Sequence, residues 1–187
     1  QKCKCKSEKS AKDVKIQSEF NPNQVRAYRL IGYENRKLRP EDFKNDAIDA
    51  GELGSNHSVT ALYEIIPAGS KSKFYTEADE LKYTTTTPIE NKYTNELATI
   101  KFRYKKPDGD QSIEMVQTIE NKSILLQNAS DDFKFSNAVA WFGLKLRDSK
   151  LIANSSSKDI IALAKQGLSN DSEGYKAEFI RLVEAAN

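Results

Sequence analysis

At 187 residues the chain is long enough for one domain with a proper core, or for two small subdomains sharing one. Hydrophobic residues make up 38% and charged ones 30%, which excludes the composition of a disordered chain. Lys and Arg number 29 against 27 Asp and Glu, a net charge of +2, so no global electrostatic case for nucleic acid survives. Apolar runs reach roughly ten residues, short of the roughly twenty that span a bilayer.

In chain order, residues 1–12, "QKCKCKSEKSAK", alternate Lys with Cys and hold nothing to bury, and they read as a disordered tether. Cys3 and Cys5 stand too close for an unstrained mutual disulfide, and with one distant histidine they fall short of a four-ligand zinc site. The β part is expected over 13–128. "VKIQSEF" alternates strictly, placing Val14, Ile16, Ser18 and Phe20 on one face and Lys15, Gln17 and Glu19 on the other, a half-buried strand. "NPN" at 21–23 turns the chain into "QVRAYRLIGY", apolar on both faces and therefore expected to be central. A long polar loop follows. "SVTALYEII" then reads as a third strand, stopped by Pro67.

Residues 67–96 are turn-rich, with short edge strands expected around Phe74 and Tyr83. "LATIKFRYKKPDGDQSIEMVQTI" is a hairpin: Ala98, Ile100, Phe102 and Tyr104 share a face, and Asp108-Gly109 supplies the turn. Beyond Asn128 the period becomes 3.6, and a helical part is expected over 129–187. Its first helix is capped by Ser130 and carries the stripe Phe135, Val139, Phe142 and Leu146, with Trp141 expected at a junction with the sheet. A second helix is capped near Ser157 and carries Ile161, Ala164 and Leu168. A third opens on a capping box of Asn170 and Glu173 and carries Tyr175, Phe179, Leu182 and Ala186. Strands first and helices second give the fold class α+β, an antiparallel, sandwich-like sheet part with a three-helix part packed against it as one compact unit.

No catalytic set assembles from this pattern. His57 is the sole histidine, and there is no Gly-x-Ser-x-Gly elbow, HExxH pair or phosphate-cradling glycine loop. The expectation is a non-enzyme with no cofactor. The loop "NDAIDAGELGSNH" is the one place suited to a hard cation or a glycan, with Asp46, Asp49 and Glu52 as calcium candidates and His57 as a ligand candidate. Its spacing misses the EF-hand pattern, so a plain connection with a structural, hydrogen-bonded imidazole is the competing reading. Lys71, Lys73, Lys101, Lys105 and Lys106, interspersed with acids, read as solvated strand faces.

Four stretches carry a resemblance: "AKDVKIQSEFNPNQVRAYRLIGYENRKL", "EDFKNDAIDAGELGSNHSVTALYEI", "DDFKFSNAVAWFGLKLRDS" and "GYKAEFIRLVEAA". Together, from about Ala11 to Ala186, they resemble the C-terminal domain of bacterial YfbK-type von Willebrand factor A proteins, a domain of unknown function. The resemblance implies a place in the cell envelope, periplasmic or extracellular, with tethering through the N-terminal region. It also implies a protein partner, either a von Willebrand A domain or another envelope protein. The Asp-x-Ser-x-Ser metal signature of the A domain is absent here, and "GSNHS" stands where a Gly-Ala-Gly-His-Thr-like run is usual. The expected role is therefore a non-catalytic interaction or scaffolding module, with weak self-association through an unpaired sheet edge.

Overall fold

The computed structural model describes residues 9–33, 37–48, 50–72, 75, 93–152 and 156–186. The fold is mixed α+β, with two antiparallel sheets in the N-terminal part and three helices in the C-terminal part. The chain divides into two compact units, residues 1–59 with 63–122, and residues 60–62 with 123–187.

In the first unit a four-stranded sheet runs in the order β3-β1-β5-β6, and a two-stranded sheet pairs β2 with β4. The strands are β1 (Lys9–Phe20), β2 (Val25–Ile31), β3 (Gly51–Gly54), β4 (Leu62–Pro67), β5 (Glu96–Lys105) and β6 (Ser112–Glu120). The expected hairpin is β5–β6, in regular register from Ala98 opposite Ile119 to Lys105 opposite Ser112. Three readings are corrected. β1 begins at Lys9, inside the segment read as a tether, because backbone pairing with β3 (Lys9 opposite Gly54, Ala11 opposite Leu53) needs no apolar side chains. Residues 1–8 of that segment lie outside the described residues, as do the strands expected at Phe74 and Tyr83. The polar loop is not one loop: it holds a 3-10 turn, Pro40–Lys44, and the short strand β3. β2, expected to be central, belongs to the two-stranded sheet, where its mixed faces are only partly covered.

β1 irregularly overshoots β5 between Lys12 and Lys15, and Asp13 sits there at φ +52°, a left-handed conformation that Asp tolerates. Past that bulge the register stacks three rows across one face of the sheet, the first and third apolar. Ile16, Phe102 and Met115 form one, Ser18, Ile100 and Gln117 the second, and Phe20, Ala98 and Ile119 the third. At the end of β1, Phe20 meets Tyr28 and Tyr63 of the smaller sheet, with ring centroids 4.4 and 5.3 Å away. Asn21 fixes the turn that follows. Its amide donates to the carbonyls of Tyr93 and Glu96, and its Oδ1 accepts from the Asn23 backbone N–H.

The second unit contains α1 (Asp131–Leu146), α2 (Ser157–Gln166) and α3 (Tyr175–Ala185) around a core of Ala138, Ile160, Leu163, Ala164, Ile180 and Val183. Ser130 caps α1 as expected, accepting from the Phe133 N–H. The cap of α2 is Ser156, one residue earlier than read, and it forms a full capping box with Asp159. α3 starts differently from the Asn170–Glu173 reading. Gly174 is its N-cap at φ +75°, and the Asp171 carboxylate accepts from the N–H groups of Lys176 and Ala177. The apolar stripes also shift. Ala138, Ile180 and Val183 take the centre, whereas Val139, Leu146, Tyr175 and Leu182 are exposed. Phe135 and Phe142 still pack on this core and meet Phe179 edge-on at 5.3 and 5.7 Å, and Trp141 packs against the same core.

Candidate interaction surface

The four-stranded sheet turns its two faces to opposite uses. On the polar face, β1 and β5 present Lys15, Arg103 and Lys105, and the 3-10 turn with the residues after it lies over them. The Lys15 ammonium donates to the carbonyls of Asp42 and Asn45, which tethers the turn, and Lys15 is only 3% exposed. Asp46 accepts from Arg103 at 3.1 Å through both carboxylate oxygens and from the Ser112 hydroxyl. Arg103 also faces Glu114 at 3.6 Å, while its Nε is buried with no hydrogen-bond partner among the described residues. Lys105 pairs with Asp13 at 2.8 Å and donates to the Asp46 carbonyl.

These contacts set the protonation states. The Ser112 and Arg103 hydrogen bonds hold the Asp46 carboxyl below the usual carboxylate range. The Lys105 hydrogen bond lowers Asp13, and Asp13 in turn raises Lys105. The network is a clamp: Lys15, Arg103 and Lys105 hold the loop to the sheet, and the Asp13–Lys105 pair joins β1 to β5.

Of the residues singled out from the sequence, Asp46 lies in this clamp, both of its carboxylate oxygens accepting from Nη2 of Arg103. Glu52 is exposed on β3, and Asp49 lies outside the described residues. His57 is exposed after the turn at residues 55–56, its backbone N–H donating to the Gly54 carbonyl at 3.2 Å. Among the described residues no three His, Cys, Asp or Glu side chains converge closely enough to hold a metal. Arg103, Lys105, Asp13 and Lys15 were not singled out as a group. The available signal was the alternation Lys101, Arg103, Lys105 along one face of β5.

The opposite face is largely apolar and partly open. Ile16 is 52% exposed, Met115 58% and Ile119 39%, in the rows that cross β1, β5 and β6. Among the described residues of this unit the large buried side chains are few: Phe43 on the 3-10 turn and Val25 on β2 are covered, and the small Ala11 and Ala98 are buried as well. An antiparallel sheet ordinarily covers its apolar face and wets its polar one. Here the turn covers the Lys15–Arg103–Lys105 end of the polar face, while Ile16, Met115 and Ile119 on the apolar face are exposed. β6, at the edge, has β5 as its only strand neighbour among the described residues.

The family described as "Uncharacterized protein YfbK, C-terminal" matches residues 8–187. The chain is 43% identical over 179 residues to the "Uncharacterized protein YfbK" of Escherichia coli (strain K12), an alignment covering 95% of this chain and 30% of that protein. The chain thus spans about a third of the length of the curated relative it matches. No solved structure matches. No described helix is long and apolar enough to cross a membrane.

Proposed function

The chain belongs to the YfbK C-terminal family, and from that premise we propose that it is a non-catalytic protein-interaction module of the bacterial cell envelope, accessory to von Willebrand A-type proteins. The observation that carries the reading is the partly open apolar face of the four-stranded sheet, with Ile16, Met115 and Ile119 presented to solvent. Its partner is a protein surface of matching apolar character: a von Willebrand A domain, another envelope protein or a second sheet edge. Each of these side chains is already about half covered, so burying them contributes only part of the roughly 1.5–3 kcal/mol that full burial gives each, and a stable contact must bury further area to offset an association cost of about 4–15 kcal/mol. The clamped polar face supports the same reading, because it leaves the sheet rigid without committing its apolar side.

The test is a titration in trans. The portion of the Escherichia coli relative that this chain does not cover is made as a separate polypeptide and titrated calorimetrically with the chain. Saturable heat that disappears in Met115→Lys and Ile119→Lys is the expected result. Absence of heat at several hundred micromolar, or heat indifferent to both substitutions, refutes the assignment of the partner surface. The envelope location is checked by fractionating cells and testing protease access to the tagged protein in spheroplasts; a protected, cytosolic pool overturns it.

A further inference from the structure

We propose that β6 is a self-pairing edge: two copies of this chain join antiparallel along β6 about a two-fold axis through Val116. The proposal rests on the reading of this sheet as a docking surface and names the occupant of its edge.

Edge strands that remain monomeric carry some device against pairing, such as a proline, a bulge or a lysine. β6, Ser112–Glu120, has none of these. It contains no Pro, Gly, Lys or Arg, and its pairing with β5 is regular along the stretch from Ser112 to Ile119. Among the described residues no strand pairs with its outer side, which presents a row of backbone groups suited to another strand.

The sequence of the edge is complementary to itself. Outward backbone groups come from alternate residues, so a two-fold pair of identical antiparallel edges must be centred on a residue. Centred on Val116, all nine residues of β6 find partners. Ser112 then faces Glu120 of the second copy, Ile113 faces Ile119, Glu114 faces Thr118, Met115 faces Gln117, and the two Val116 residues meet at the axis. No carboxylate opposes another, and Glu114 keeps Arg103 as its counter-charge. Centring on Gln117 sets Glu114 against Glu120, a like-charge pair that destabilises a sheet. Centring on Met115 strands Ile119 and Glu120 beyond the partner. Either shift leaves two residues of each β6 unpaired. Any residue-centred register continues the apolar face, because Ile113, Met115, Gln117 and Ile119 lie on the side of Phe102 and Tyr104.

The experiment uses the full chain carrying Cys3→Ser and Cys5→Ser. Val116 is 58% exposed, so substitutions there leave the packed interior alone, and circular dichroism checks the fold. Val116→Cys is expected to form a disulfide-linked dimer under mild oxidation. Glu114→Cys and Thr118→Cys should each fail alone and cross-link to one another when mixed, since those two positions face each other. In sedimentation velocity the unsubstituted chain should approach twice its monomer mass as concentration rises. Val116→Lys, which sets two ammonium groups at the axis, should return it to monomer, and an equimolar mixture with Val116→Glu should restore the dimer. A monomer at every concentration, or self-cross-linking strongest at another position, overturns the proposal. A monomeric chain that still titrates with the remainder of the relative removes the self-pairing and leaves the interaction reading standing. A dimer that ignores that remainder does the reverse.

Discussion

Gly167 follows the last residue of α2 and lies directly against the start of α1. A Cβ built on it would stand 2.4 Å from the Asp131 carbonyl oxygen and 2.7 Å from the Phe135 nitrogen. Both are backbone atoms of a capped helix, so the chain cannot yield by rotating a side chain. Gly167→Ala is expected to cost about 1–3 kcal/mol, read as a lowered urea midpoint with unchanged slope. Its φ is negative, so the cost arises from close approach and not from backbone strain. A midpoint equal to that of the unsubstituted chain would show that the two segments do not meet so closely. This requirement is invisible in "KQGLSN", where a glycine after a helical stripe signals only a stop. The same limit applies to Asp46. Its type and setting suggest a ligand for a hard cation, but only the three-dimensional approach of Arg103 and Ser112 places it in a clamp. Ser130, in contrast, was legible as a cap, because capping depends on residues three positions apart.

At the scale of elements, Lys176 ties the three helices together. Its ammonium donates to Asp132 of α1 at 2.8 Å and to the carbonyls of Gly167 and Ser169 beyond α2, at 3.0 and 2.9 Å, and it lies 5.4 Å from the centroid of the Phe135 ring. Lys176→Met keeps the stem and removes three hydrogen bonds, two of them to carbonyls at a helix end. About 1–3 kcal/mol of stability should go, measured by urea unfolding followed through helical circular dichroism. A value within experimental error of zero would mean that water serves those carbonyls equally well. β6 behaves oppositely. Met115→Lys alters a side chain already open to solvent, so stability should move by less than about 0.5 kcal/mol, while Ile160→Ala in the helical core should cost about 2–5 kcal/mol. If Met115→Lys destabilised the monomer as strongly as the core change, the apolar face would be an interior and not a docking surface. Periodicity identified these elements well: the hairpin and all three helices follow from it. It did not identify which face would be covered. β1 alternates as a half-buried strand should, yet the 3-10 turn buries Lys15 and leaves Ile16 exposed. Burial was set by a distant segment that satisfies the lysine with carbonyls, which no local pattern encodes.

For the whole molecule, the ionised carboxylates of both units act in one direction with pH. Asp13 and Asp46 in the sheet unit are lowered by hydrogen bonds from Lys105 and from Ser112 and Arg103 respectively. Asp159 and Asp171 in the helical unit are lowered by the Ser156 side chain and by backbone N–H groups at the start of α3. A group whose folded pKa is depressed binds fewer protons folded than unfolded, so its stabilisation is complete above its unfolded value, near 3.8, and disappears as pH falls through the folded one. Lys105 is raised, so its contribution is complete below its ordinary value of 10.5 and disappears as pH climbs through the folded value. The urea midpoint should therefore be level from roughly pH 5 to roughly pH 9, fall below that window through the four aspartates, and fall above it through Lys105. Salt separates the two acid contributions. Asp46 and Asp13 owe part of their shift to cations and should respond to 0.5 M NaCl, a concentration at which the Debye length is about 4 Å, whereas Asp171 is held chiefly by backbone donors. Asp13→Asn with Asp46→Asn should flatten much of the acid limb and remove its salt dependence, leaving the part that belongs to the helix starts. An acid limb unchanged in the double variant would mean that Asp13 and Asp46 titrate alike in the folded and unfolded chain, so that the clamp contributes nothing to the acid limb.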